Sequence, residues 1–113
     1  MKSRVSLVKS NSSYQGTLAA LRLLKDQLEP LIRKAKKPVI KVNFVSAHHQ
    51  LAVTPVEAIK AVIDFIRRYS SVEITVAEAA TLGTTEEAWR NYGYYQLEKK
   101  FSGVKLFDLT QDK

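Results

Sequence analysis

The sequence has 113 residues, 45% hydrophobic and 26% charged, which is the size and make-up of a single globular domain (residues 1–113) and not of a disordered or fibrous chain. It contains no cysteine, which excludes disulfides, thiolate nucleophiles and cysteine-bound zinc or iron–sulfur clusters held by this chain. A net charge of +7 admits nucleic acid, an anionic surface or an acidic ligand as partner. The first residues lack the apolar stretch of a signal peptide, and no run reaches transmembrane length. A cytoplasmic location without membrane contact is therefore expected.

Arg4–Val8 alternates enough to predict a first strand. Ser10 to Ser13 mark a loop, and Ser12 with Gln15 has the spacing of a capping box that opens a helix. Leu18, Leu21, Leu24, Leu28, Leu31 and Ile32 give that helix a long apolar stripe. Pro30 lies inside it and is expected to kink or split it, because proline lacks the backbone donor and crowds the preceding turn. Arg33, Lys34, Lys36 and Lys37 gather at the helix end, where they complement its dipole.

Val39–Val45 predicts the second strand, with Ile40, Val42 and Phe44 on one face and Val39, Lys41 and Asn43 on the other. Thr54-Pro55-Val56-Glu57 then reads as a helix start, with Thr54 as the cap. Val72–Ala77 predicts the third strand and is followed by a small-residue loop from Glu78 to Gly83. Thr84 and Glu87 cap a third helix carrying Trp89, and a further helical turn or two follows Gly93. Val104–Leu109 predicts the fourth strand. The order β-α-β-α-β-α-β implies a three-layer α/β fold around a mainly parallel four-stranded sheet.

Open α/β sheets bind ligands beyond the carboxyl ends of their strands. There the sequence places Lys41, Asn43 and Glu78, with Thr54, Thr81 and Thr84 in the adjoining loops and helix starts. Lys41 and Glu78 are the candidate catalytic pair, for charge and acid–base chemistry. Asn43, Thr54, Thr81 and Thr84 are candidate ligand contacts for a small anion. Each also has a plainer reading: Thr54 and Thr84 as caps, Lys41 snorkelling to solvent or pairing with Glu78, Asn43 bonding a loop backbone. His48 and His49 read as a solvated loop, and Tyr92, Tyr94 and Tyr95 as packing against the sheet. No glycine-rich phosphate loop, zinc-protease motif or nucleophile elbow is present. Nucleic acid is disfavoured, because charge without a recognition motif is its sole support.

The runs Val39-Ile40-Lys41-Val42-Asn43-Phe44-Val45, Val53-Thr54-Pro55-Val56-Glu57 and Ile74-Thr75-Val76-Ala77-Glu78-Ala79, continued by the Thr84–Glu87 helix, the Gly93-Tyr94 break and Val104–Leu109, resemble the family catalogued as domain of unknown function 362. The similarity covers nearly the whole chain. It implies an uncharacterised bacterial or archaeal cytoplasmic domain, often carried beside ferredoxin-type iron–sulfur modules, and would carry over Lys41, Asn43, Thr54 and Glu78. The family's iron–sulfur cysteines are absent, so no cofactor or metal is expected on this chain. The family domain continues past the fourth strand, which makes a missing C-terminal segment, or self-association through apolar surface near Phe101, Phe107 or the Tyr94–Tyr95 pair, the expected partner. Two functions follow: a small anionic-ligand site in a redox-associated protein, or a non-catalytic interaction module or structural half of a larger domain.

Overall fold

A computed structural model describes residues 3–111 except 50, 52 and 81. The Ser12 hydroxyl accepts from the Gln15 N–H at 3.1 Å and starts helix α1 (Ser13–Leu23) as the capping pattern predicts. The apolar stripe does break, but at Leu24 and not at Pro30. Leu24 leaves helical geometry with φ −107° and ψ 16°, and serves both as the end of α1 and as the start of α2 (Lys25–Lys34). Its N–H bonds the Leu21 carbonyl, while its own carbonyl takes the Gln27 and Leu28 N–H groups, all at 3.0 Å. Pro30 is carried inside α2.

Strands β1 (Val39–Lys41), β2 (Ile74–Glu78) and β3 (Val104–Asp108) form a parallel sheet in the order β1-β2-β3. Helix α3 (Val56–Arg67) connects the first two; α4 (Thr85–Asn91) and α5 (Tyr95–Lys100) connect the second two. The α/β class and the parallel pairing stand as read from the sequence. Among the described residues, however, the sheet has three strands and not four. The segment Arg4–Val8 is no strand: the Arg4 guanidinium binds Asp26 at 2.6 Å and the Ser6 hydroxyl donates to the Ala20 carbonyl at 2.8 Å. These side-chain ties lay the segment along α1 and the start of α2, with no backbone pairing among the described residues.

The register sets Ile40 beside Val76 and Leu106, and Lys41 beside Ala77 and Phe107. The first row packs with Val42, Phe44, Ile74 and Val104 into the main core, under Ile59, Ile63 and Ile66 of α3 and Trp89, Tyr92, Tyr94 and Leu97 of the α4–α5 region. The second row belongs to a face that also carries Val39, Asn43, Val45 and Lys105. There Val39 is 62% and Phe107 38% exposed, and only the small Ala77, between its two larger neighbours, is buried. Sheet order follows chain order, so crossovers of one hand set every connecting helix on the same side. The expected sharing of helices between two faces is therefore not found among the described residues. The further layer lies outside α3, where Leu18 of α1 packs on Ala61 and Phe65.

Candidate functional site

The carboxyl end of the sheet is organised around one buried carboxylate. Glu78 closes β2 and is 3% exposed. One of its oxygens accepts from the Phe44 N–H; the other accepts from the Lys41 ammonium and, at 2.9 Å, from the Ala79 N–H. Lys41 also donates to the Val42 carbonyl at 2.7 Å, and its side chain remains half open to solvent. A charged group with this little water must be met by donors, and here three donors drawn from β1, its extension and the loop after β2 converge on it.

Asn43 lies two residues beyond Lys41 on the same exposed face. Its N–H donates to the Thr54 hydroxyl and its carbonyl accepts from the Thr54 N–H, both at 2.9 Å. Thr54 therefore does not cap α3; Pro55 holds that place without a side-chain bond. An outward backbone donor at the end of an edge strand claims the hydroxyl first. Thr84 does cap its helix, accepting from the Glu87 N–H at 3.1 Å. Thr81 lies outside the described residues.

Lys41, Asn43, Thr54 and Glu78 thus come together at one edge, while Thr84 sits with a second group of contacts that stitches the two carboxyl-end loops. Ser46 bridges Leu82; the Ala47 N–H bonds the Leu82 carbonyl at 2.8 Å; the Asn91 amide donates to the Ala47 carbonyl at 2.8 Å; and the Tyr92 hydroxyl donates to the Ser46 carbonyl. His48 faces Glu87 at 3.2 Å. Gly83 makes the approach possible: its φ is +84°, and a Cβ there would come within 2.8 Å of the Ala47 Cβ. Gly83→Ala is expected to lower stability by about 1–3 kcal/mol, read as a lower urea midpoint. A variant as stable as the parent would show that this close approach is unimportant.

Two open clefts flank the sheet. One, of about 470 Å³, is lined by Asn43, Val45, Leu51, Val53, Thr54 and Pro55, none of them charged. The other, of about 380 Å³, lies between α4, α5 and β3 and is lined by Glu86, Trp89, Tyr95, Glu98, Leu106 and Asp108. Its acidic character was hidden from the sequence, because three carboxylates spaced through two helices and a strand meet only in the fold. The buried Tyr94 hydroxyl donates to the Thr54 carbonyl at 2.6 Å. Burial, reinforced by the Glu78 charge, pushes its pKa well above the ordinary tyrosine range.

Among the described residues no group of three or more acidic or histidine side chains is placed to hold a metal ion, and with no cysteine the chain does not fit an iron–sulfur cluster. No helix among the described residues is long and apolar enough to cross a membrane. The model of the family described as Domain of unknown function (DUF362) matches residues 39–113. The match takes in the whole sheet and its carboxyl-end loops, and leaves α1 and α2 outside. No curated protein and no solved structure matches the chain.

Proposed function

We propose, from the premise that this chain belongs to the Domain of unknown function (DUF362) family, that it works as a protein-interaction module whose bare sheet face seats a helical layer of a partner polypeptide. The observation that carries this reading is the one-sided sheet. Parallel sheets are as a rule covered on both faces, and here the row Val39, Lys41, Val45, Thr75, Ala77, Lys105 and Phe107 has no cover among the described residues. Its charged members are already matched: Lys41 by Glu78, and Lys105 by Glu73 at 2.9 Å. An apolar stripe can therefore settle on the face without stranding a charge. The chain's net charge of +7 favours a partner helix whose outer surface is acidic, and disfavours a second copy on this face, where lysines would meet lysines.

The geometry favours this over a small anionic ligand handled by Lys41 and Glu78. Both oxygens of Glu78 are engaged by donors, which suits a tie between strands better than proton transfer. The cleft beside Asn43 and Thr54 is lined by no cation, so an anion there gains no charge partner.

An amphipathic helical peptide of leucine and glutamate is a direct probe. Added to labelled protein, it is expected to shift the amide resonances of Val39, Thr75, Ala77 and Phe107. Phe107→Asp should weaken its binding about tenfold, or about 1.4 kcal/mol, while the loss of stability from placing a poor strand former at this part-exposed strand position, about 1 kcal/mol, leaves the protein folded. Shifts confined to another surface, or equal affinity for Phe107→Asp, would refute the docking face.

A further inference from the structure

We infer that the free edge of β1 accepts the N-terminal segment Arg4–Val8 of a second copy of this chain as an added strand, so that two copies exchange segments. This edge is separate from the bare face, and the inference does not depend on what that face binds.

The acceptor is a short stretch of unpaired backbone. The Thr75 N–H bonds the Pro38 carbonyl and the Val42 N–H bonds the Ala77 carbonyl, both at 3.1 Å. In a parallel ladder the bonding side alternates, so Val39 and Lys41 turn their N–H and C=O groups away from β2. Among the described residues no hydrogen bond from another segment reaches those groups. Further along, Asn43 shows what the edge takes when it can: both of its backbone groups are bonded by Thr54. Exposed edges are templates for strand addition, and between Pro38 and the Thr54-bonded Asn43 the open stretch here is Val39–Lys41.

The donor is a strand-like segment with no ladder. Residues 4–8 have the composition and alternation of a strand, yet form no backbone–backbone bond among the described residues. Arg4 and Ser6 are anchored inward on Asp26 and the Ala20 carbonyl. That leaves Val5 and Leu7 at 89% and 92% exposure. An extended segment already held by its polar side chains has lost part of the freedom that strand addition would otherwise remove. With Arg4 and Ser6 tied to its own helices and Val5 and Leu7 left exposed, the segment offers a second molecule a strand already partly fixed. Exchange in both directions gives a closed two-fold dimer, the commonest symmetry of self-association. Two copies of net charge +7 repel, so added salt should strengthen the dimer by screening.

With no native cysteine, single engineered thiols report the pairing cleanly. Val5→Cys and Leu7→Cys proteins, each mixed with Val39→Cys protein under mild oxidation, are expected to give a cross-linked heterodimer in at least one combination. A Lys99→Cys protein, with its thiol on α5, should give none with either. Leu7→Pro, which removes a backbone donor in a segment outside every helix and strand, should leave the circular dichroism unchanged while weakening the dimer about tenfold in light scattering. Cross-links that form only within one molecule carrying both thiols, no cross-link in any mixture, or a dimer unaffected by Leu7→Pro would each overturn the exchange. The docking face is judged separately, by the Phe107→Asp measurement.

Discussion

Glu78→Ala is expected to cost about 3–5 kcal/mol of folding stability, the range for removing one partner from a buried, hydrogen-bonded charge site. The carboxylate is the acceptor for the Phe44 and Ala79 N–H groups and for Lys41. Alanine leaves a buried backbone donor at Phe44 without its acceptor. Glu78→Gln keeps one acceptor oxygen and should lose less, about 1–3 kcal/mol. Lys41→Met should cost less than Glu78→Ala, because the Glu78 carboxylate keeps its Phe44 and Ala79 N–H donors, whereas Glu78→Ala strands the buried Phe44 N–H. Urea unfolding of the three variants gives the ranking directly. A Glu78→Ala protein within about 1 kcal/mol of the parent, or a Lys41→Met protein as unstable as Glu78→Ala, would show that the carboxylate is not the tie between β1 and β2.

The same residue shows where a sequence stops being legible. That Glu78 lies at the sheet's carboxyl edge, near Lys41, follows from alternation and spacing, which set it just after the third strand; the structure makes it that strand's last residue. That it accepts from the Phe44 N–H, thirty-four residues away in sequence, does not, since the donor is brought there by strand pairing. Thr54 fails to cap α3 for the same kind of reason. Local spacing favours the cap, but the outward N–H of Asn43 is a stronger claimant once β1 is an edge. Thr84 has no such competitor, and the local reading holds. So do the Ser12 cap and the alternation from Val39 to Val45, because each is decided by neighbours in sequence.

The segment Arg4–Val8 is the larger departure. A strand pattern states what a segment can pair as, and whether it does so depends on an edge being within reach. In this structure Arg4 and Ser6 find partners on α1 and at the start of α2 first. The bare sheet face has a comparable origin. Counting helices suggests cover on both faces, but the order β1-β2-β3 with crossovers of one hand places them together. Strand order is a property of the assembled sheet, and no single element encodes it.

Phe44→Ala should be the most damaging of the core substitutions, at about 3–5 kcal/mol for a large aromatic cut to alanine. Phe44 is 1% exposed and packs edge-on against Trp89, Tyr92 and Tyr94, with ring centroids 5.2, 5.4 and 5.0 Å away. Each such pair adds about 0.5–1.5 kcal/mol beyond the buried area, and one truncation removes all three. The loss would take a large share of the roughly 5–15 kcal/mol that holds a domain of this size together. It would also reach the candidate site, because the Phe44 N–H is a donor to Glu78 and Phe44 bridges Val53, beside the Thr54 that holds Asn43. Phe44→Leu, which keeps most of the volume, should cost about 1.5 kcal/mol or less. Trp89 is the single tryptophan of the chain, so its emission reports this cluster without interference. The expected result is a red-shifted Trp89 emission and a lower melting temperature for Phe44→Ala, with Phe44→Leu near the parent on both counts. Unchanged emission in Phe44→Ala, or equal losses in the two variants, would mean that the aromatic cluster is not what fixes the β1 extension and the loops it carries.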